Sequence, residues 1–186
     1  TDNSYTGTTT IGSTTVAGGV LQAVDGSSLP NASYLVLGSG TTGGGVFQSS
    51  GDFTRNVGTT AAANTVTIGA ATATTAAVGF SAGNSKLTLA FGGTGSPTPL
   101  TWGSGGFMGV TGTSTGAFVL NSVYSLAEVE VRNAINLNGV TRTIQVDDNT
   151  STFTDFATIT GIISNSTGTA GLTKTGTSIL QLLEAN

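Results

Sequence analysis

The chain has 186 residues, a net charge of −4, neither Cys nor His, and only 8% charged residues, while Thr, Ser, Gly and Asn together make up 96 positions. This excludes a disulfide framework, a Cys/His zinc site and histidine-based catalysis. Five basic residues against nine acidic ones leave no basic footprint for nucleic acid, and apolar runs of a few residues fall far short of the ~20 that span a bilayer.

The β-branched Thr and Val suit a pleated surface, and Gly, Asn and Ser punctuate the apolar stretches as turn formers. In chain order, strands are predicted over 8–11, 19–23, 34–37, 46–48, 65–68, 77–80, 86–91, 118–120, 128–131, 142–146, 157–163, 172–175 and 179–183. Several alternate polar and apolar residues, as in Lys86-Leu87-Thr88-Leu89 and Glu128-Val129-Glu130-Val131, the pattern of a strand with one buried face. Residues 122–137 and 178–183 carry weak helical cues, but their short length and Thr/Gly flanks favour strand. Low charge and positive mean hydropathy oppose disorder. The expectation is one all-β domain over 1–186 with little or no helix.

Few large aromatics are present to fill a wide sandwich core, whereas Thr, Ser, Asn and Val stack well on themselves, which favours a β-solenoid. At roughly 20 to 25 residues per coil, the chain makes about eight coils. The chain starts at Thr1, so it reads as a processed protein or a segment of a longer one. The absence of Cys fits an extracellular bacterial protein.

Chemical motifs are weak. Gly38-Ser39-Gly40-Thr41-Thr42-Gly43 follows a predicted strand but leads into turn and strand, not the helix a dinucleotide site needs. Gly112-Thr113-Ser114-Thr115-Gly116 has the form of a nucleophile elbow without a histidine to serve it. Asp147 and Asp148, with Asp155 nearby, are weak calcium candidates, and a solvated corner is the blander reading. Arg142 with Asp147 and Asp148 matches acid-plus-Arg polysaccharide-lyase sites in residue type only. Trp102, Phe107, Tyr5 and Tyr34 are candidate sugar platforms, or core and cap residues. Three Asn-X-Ser/Thr sequons, at Asn31, Asn149 and Asn165, are expected in so Asn/Ser/Thr-rich a chain.

Gly171-Leu172-Thr173-Lys174-Thr175-Gly176, with Ile179-Leu180-Gln181-Leu182, resembles the autotransporter-associated β-strand repeat. The second half of that repeat stands at the other end of the chain, in Tyr5-Thr6-Gly7-Thr8-Thr9-Thr10-Ile11 and Ala17-Gly18-Gly19-Val20-Leu21-Gln22. The termini thus carry two halves of one motif. Leu100-Thr101-Trp102-Gly103 and Ile135-Asn136-Leu137-Asn138-Gly139 resemble the long-repeat type found in planctomycete- and verrucomicrobia-like surface proteins. The sequence departs from the family at Glu184, where Gly is usual. The resemblance implies a right-handed parallel β-helix at the cell surface or outside the cell, with no enzymatic activity and no cofactor.

A solenoid has two open ends whose unpaired backbone groups template strand addition. The leading expectation is an extracellular structural protein that stacks head to tail through Tyr5, Thr8, Ile11, Val20 and Leu21 at one end. Leu172, Ile179, Leu180, Leu182 and Leu183 would meet them from the other. Such a contact does not close and gives a filament or stalk with itself as partner. The alternatives are one repeat of a giant covalent tandem protein, and an adhesin or module that binds cell-surface glycans.

Overall fold

The structure, a computed structural model, describes residues 2–13, 16, 18–40, 43–69, 76–109 and 116–184. Among them the fold is all-β, with sixteen strands and no helix. In chain order these are β1 (Thr9–Ile11), β2 (Val20–Gln22), β3 (Tyr34–Leu37), β4 (Gly45–Phe53), β5 (Asn56–Val57), β6 (Thr65–Ile68), β7 (Val78–Leu89) and β8 (Leu100–Thr101). They continue with β9 (Ala117–Leu120), β10 (Val129–Val131), β11 (Ile135–Asn136), β12 (Arg142–Gln145), β13 (Ala157–Ile159), β14 (Ile163–Ser164), β15 (Leu172–Thr175) and β16 (Leu180–Leu182). All the predicted strand regions hold strand, and both weakly helical stretches are free of helix.

The strands form three sheets, and each ladder between strands is parallel. The longest column runs β2–β4–β7–β9–β12–β15. A second uses the C-terminal halves of two long strands, β4–β7–β10–β13–β16. β4 and β7 belong to both columns, and a bulge between Ser49 and Gly51 turns them from one to the other. Smaller columns are β1–β3–β6–β5 and β8–β11–β14.

Apart from β5–β6, partners lie far apart in sequence, from 23 residues for Ala157 and Leu180 to 42 for Leu87 and Val129. Parallel strands cannot be joined by tight hairpins, so these long returns are required. The longest column is six strands deep where about eight coils were expected. All the returns but the 23-residue one between Ala157 and Leu180 exceed 20 to 25 residues, lengthened by corner segments such as 90–99, 121–128 and 147–156.

In register, side chains stack into rows. The inward row Phe53–Leu89–Val131–Ile159–Leu182 is apolar throughout, while its outward neighbour reads Asp52–Thr88–Glu130–Thr158–Gln181. The core is more aromatic than expected. Phe80 lies 5.0 Å from Phe53, 5.6 Å from Phe91 and 6.5 Å from both Phe47 and Phe118, in tilted or edge-on contacts. Trp102 and Phe107 extend the cluster from Phe118.

Buried polar groups hold the corners. The Asn121 amide accepts from the Ala82 N–H and donates to the Ala127 and Phe156 carbonyls, from a left-handed φ of 82° that Asn tolerates. Asn133 does the same work for Phe91 and Thr98. Arg55 is fully buried, donates to the Ser33 and Pro30 carbonyls and pairs with Asp25 at 2.8 Å. Burial pushes the Asp25 carboxyl up, against the pull of the Arg55 charge.

Candidate functional site

The residues expected to mediate self-association fall into two sets, one around β1 and β2 and one around β15 and β16, where three columns end: the six-strand column at β2 and β15, the β4–β16 column at β16 and the β1–β5 column at β1. β2 pairs only with β4, and β15 only with β12, among the described residues. At the β1–β2 end, Ile11 is buried, Val20 and Leu21 are half-buried, and Thr8 and Tyr5 are exposed. The Tyr5 hydroxyl meets Thr9 Oγ1 at 3.0 Å. At the β15–β16 end, Leu172 and Leu180 are half-buried, while Ile179, Leu182 and Leu183 are 62%, 44% and 62% exposed.

The leucines of β16, Leu180 half-buried and Leu182 exposed, are not stray surface residues. Leu180 aligns with Ala157, Val129 and Leu87, and Leu182 with Ile159, Val131 and Leu89. Those partners are buried, so the last strand ends two core rows, one half covered at Leu180 and one exposed at Leu182. Val16 and Val24, beside β1 and β2, are likewise 64% and 57% exposed and were not singled out from the sequence.

Two features of the Gly171–Gly176 motif become clear only in the structure. Gly176 has φ +75°, and a Cβ there would stand 2.2 Å from the Val146 carbonyl oxygen, so only glycine fits. Lys174 pairs across from Ile144, at the end of the inward row Val78–Phe118–Ile144. Its Nζ donates to the Thr175 and Gly176 carbonyls. A charged residue at an inward edge position restrains indiscriminate strand pairing.

The other candidates change role. Asp147 accepts both hydrogen bonds of Gln145 Nε2, at 3.0 and 2.8 Å. Asp155 is buried and accepts from the Asn149 N–H and from Ser125 Oγ, while Asp148 is half-buried. Among the described residues no group of three His, Cys, Asp or Glu side chains is placed to hold a metal. The calcium reading gives way to a corner whose carboxylates bind their own loop.

Arg142 is 1% exposed, donates from Nε to the Leu137 carbonyl and lies 5.7 Å from the Trp102 ring centre. Burial lowers its pKa. It therefore offers no surface to a polysaccharide, and the acid-plus-Arg reading falls. Trp102 and Phe107 are core residues, not sugar platforms. Tyr34 is half-buried against Thr67. In the stretch 38–43, Thr41 and Thr42 lie outside the described residues, and the chain beyond runs into β4 with no helix to receive a pyrophosphate. Gly112 to Thr115 lie outside the described residues, as do Ala17, Ala185 and Asn186 of the terminal motifs.

The densest surface charge is a cluster on the outer face. Lys86 bridges Glu128 and Glu130 at 3.2 and 3.0 Å, and Arg132 holds Glu130 at 3.1 Å. Burial raises the Glu130 carboxyl, but its hydrogen bonds from Arg132 and Lys86 outweigh this and hold it below 4.5. Lys86 is raised in turn: burial lowers it, and Glu130 and Glu128 more than compensate.

No family model, curated protein or solved structure matches this chain.

Proposed function

We propose that the chain is a right-handed parallel β-solenoid of the autotransporter-associated repeat type that stacks end to end into an extracellular filament or stalk, with a structural rather than catalytic role. The observation that carries this is the pair of core rows that stop at β16, half covered at Leu180 and exposed at Leu182. The solenoid reading is supported by ladders that are all parallel and by partners separated by long returns, a pattern that coiling produces directly.

The register supports a specific contact. Extending the rows of the six-strand column by one residue places Gly19 and Lys174 at opposite ends of the row Gly45–Val78–Phe118–Ile144. Leu21 and Gly176 stand at opposite ends of the neighbouring row. Stacking one copy on the next would set Lys174 over Gly19 and Leu21 over Gly176, a large side chain over a glycine in each row. A Cβ at Gly19 would meet nothing within 4 Å, which leaves that position open to a neighbour. Leu180 and Leu182 would meet the exposed Val24 side. Backbone pairing along β2 and β15 would add the directional bonds of strand addition.

Leu180→Asp with Leu182→Asp tests the contact. The rows carrying both residues are otherwise complete, so the variant should stay folded by circular dichroism. Sedimentation velocity should show large assemblies for the unaltered chain and a single small species for the variant. Equal assembly in both would contradict end docking.

A further inference from the structure

We propose that the outer face of the six-strand column carries a binding groove for a neutral oligosaccharide, with Tyr124 as its platform. Its platform, Tyr124, and its polar lining lie outside the stacking contact, although the groove begins at Gly19 and Val20 on the stacking edge.

Val20, Val46, Val119 and Gln145, from the outward row that also holds Gly79, line an open groove of about 440 Å³, within the ~300–1,000 Å³ of small-ligand sites. A Cβ at Gly79 would collide with the Val119 carbonyl oxygen at 1.9 Å, so the row carries no side chain at its centre. Tyr124 stands at the side, between this groove and a second one lined by Gln22, Gln48 and Asn84.

The segment that carries Tyr124 is unusually well held for a surface loop. Gln48 faces outward yet is only 4% exposed, because the loop lies over it and Gln48 Nε2 donates to the Tyr124 carbonyl at 2.8 Å. The Tyr124 N–H donates to Ser122 Oγ, which meets Ser81 Oγ at 3.0 Å. The Leu126 N–H donates to the Ala82 carbonyl, and Asn149 Nδ2 to the Ser125 carbonyl. Despite this support, Tyr124 is 66% exposed. Its hydroxyl has no hydrogen bond among the described residues. A fixed backbone presenting a free aromatic ring is a preorganised platform.

The chemistry around the ring selects the ligand. An aromatic face takes the C–H face of a sugar ring, and amides and carboxylates take its hydroxyls. Gln145 and Asp147, fixed on each other, line one side of Tyr124, and Gln22, Gln48 and Asn84 line the other. Among the described residues no Lys or Arg lines either groove, and the one charged side chain there is Asp147. Anionic glycans, phosphates and acidic peptides are therefore disfavoured, and a neutral, hydroxyl-rich ligand is favoured.

The test is an array of neutral and anionic oligosaccharides probed with the intact chain, followed by calorimetry on the strongest neutral glycan. Tyr124→Ala should weaken that binding at least tenfold, since the exposed side chain can be removed without touching the core. Phe153→Ala, which removes the 98%-exposed Phe153 elsewhere, should leave it unchanged. No binding to any neutral glycan, binding confined to anionic ones, or equal binding by Tyr124→Ala would overturn the proposal. The stacking variant Leu180→Asp/Leu182→Asp should bind as the unaltered chain does, so that failure of either reading is recognised separately.

Discussion

At the residue scale, the least expected group is Arg55. A fully buried guanidinium costs several kcal/mol of desolvation, and it persists because each of its nitrogens is engaged, by Asp25 and by the carbonyls of Leu29, Pro30 and Ser33. Those carbonyls belong to the corner between β2 and β3, so Arg55 ties a turn of the chain to the strand above it. Arg55→Ala should destabilise the fold by about 3–5 kcal/mol, read as a lower denaturant midpoint, because it strands the Asp25 carboxylate and three carbonyls. A change below about 1 kcal/mol would show that water replaces the guanidinium at no cost. Nothing in the sequence marks Arg55 as buried, since its partners lie 22 to 30 residues away. The core reading of Trp102 holds, but its packing against Arg142 was not legible, because the two stand 40 residues apart and meet only in the fold.

At the element scale, strands with alternating residues were legible, and three short ones were not. β5, β8 and β11 are two residues long and too brief to show a period. β7 was divided in two because Gly83-Asn84-Ser85 reads as a turn, whereas it is the bend where one strand passes between columns beside the bulge in β4. The aromatic core was missed because Phe47, Phe53, Phe80, Phe91 and Phe118 have no common spacing and meet only through long parallel returns.

The Lys86–Glu130–Arg132 cluster gives the strands a pH signature. Glu130 titrates below 4.5 in the fold, so the unfolded chain takes up its proton first as pH falls. Its contribution is complete above about pH 4.5 and is lost progressively as pH falls through its lower folded value. Thermal midpoints measured from about pH 7 down to pH 3 should decline through that window. Glu130→Gln should flatten the decline, and an unchanged slope would remove Glu130 as its source. The raised Lys86 works in the opposite sense: its contribution is present below about 10.5 and lost as pH rises through its folded value.

At the scale of the whole molecule, most of the exposed large apolar side chains fall into three groups, with Phe153 and Ile162 apart from them. Tyr5, Val16 and Val24 lie beside the β1–β2 end, Ile179, Leu182 and Leu183 at the β15–β16 end, and Val123, Tyr124 and Leu126 around the outer groove. Contiguous exposed apolar groups mark interaction surfaces. The exposed Tyr5, Ile179, Leu182 and Leu183 were singled out in the sequence through the terminal motifs, whereas Val16 and Val24, and the pairing in size of Lys174 with Gly19 and Leu21 with Gly176, required the structure. The groove was not legible, because Tyr124 comes beside Gln48 and Gln145 only when the 121–128 segment folds back over the sheet.

The most direct test of the stacking account is negative-stain electron microscopy of the purified chain, with denaturing electrophoresis of the same sample. Unbranched filaments dissolving to an 18.3 kDa band are the expected result. Filaments that run as one very large chain would mean the same stacking made covalent in tandem. Dispersed single particles at every concentration would contradict end-to-end assembly.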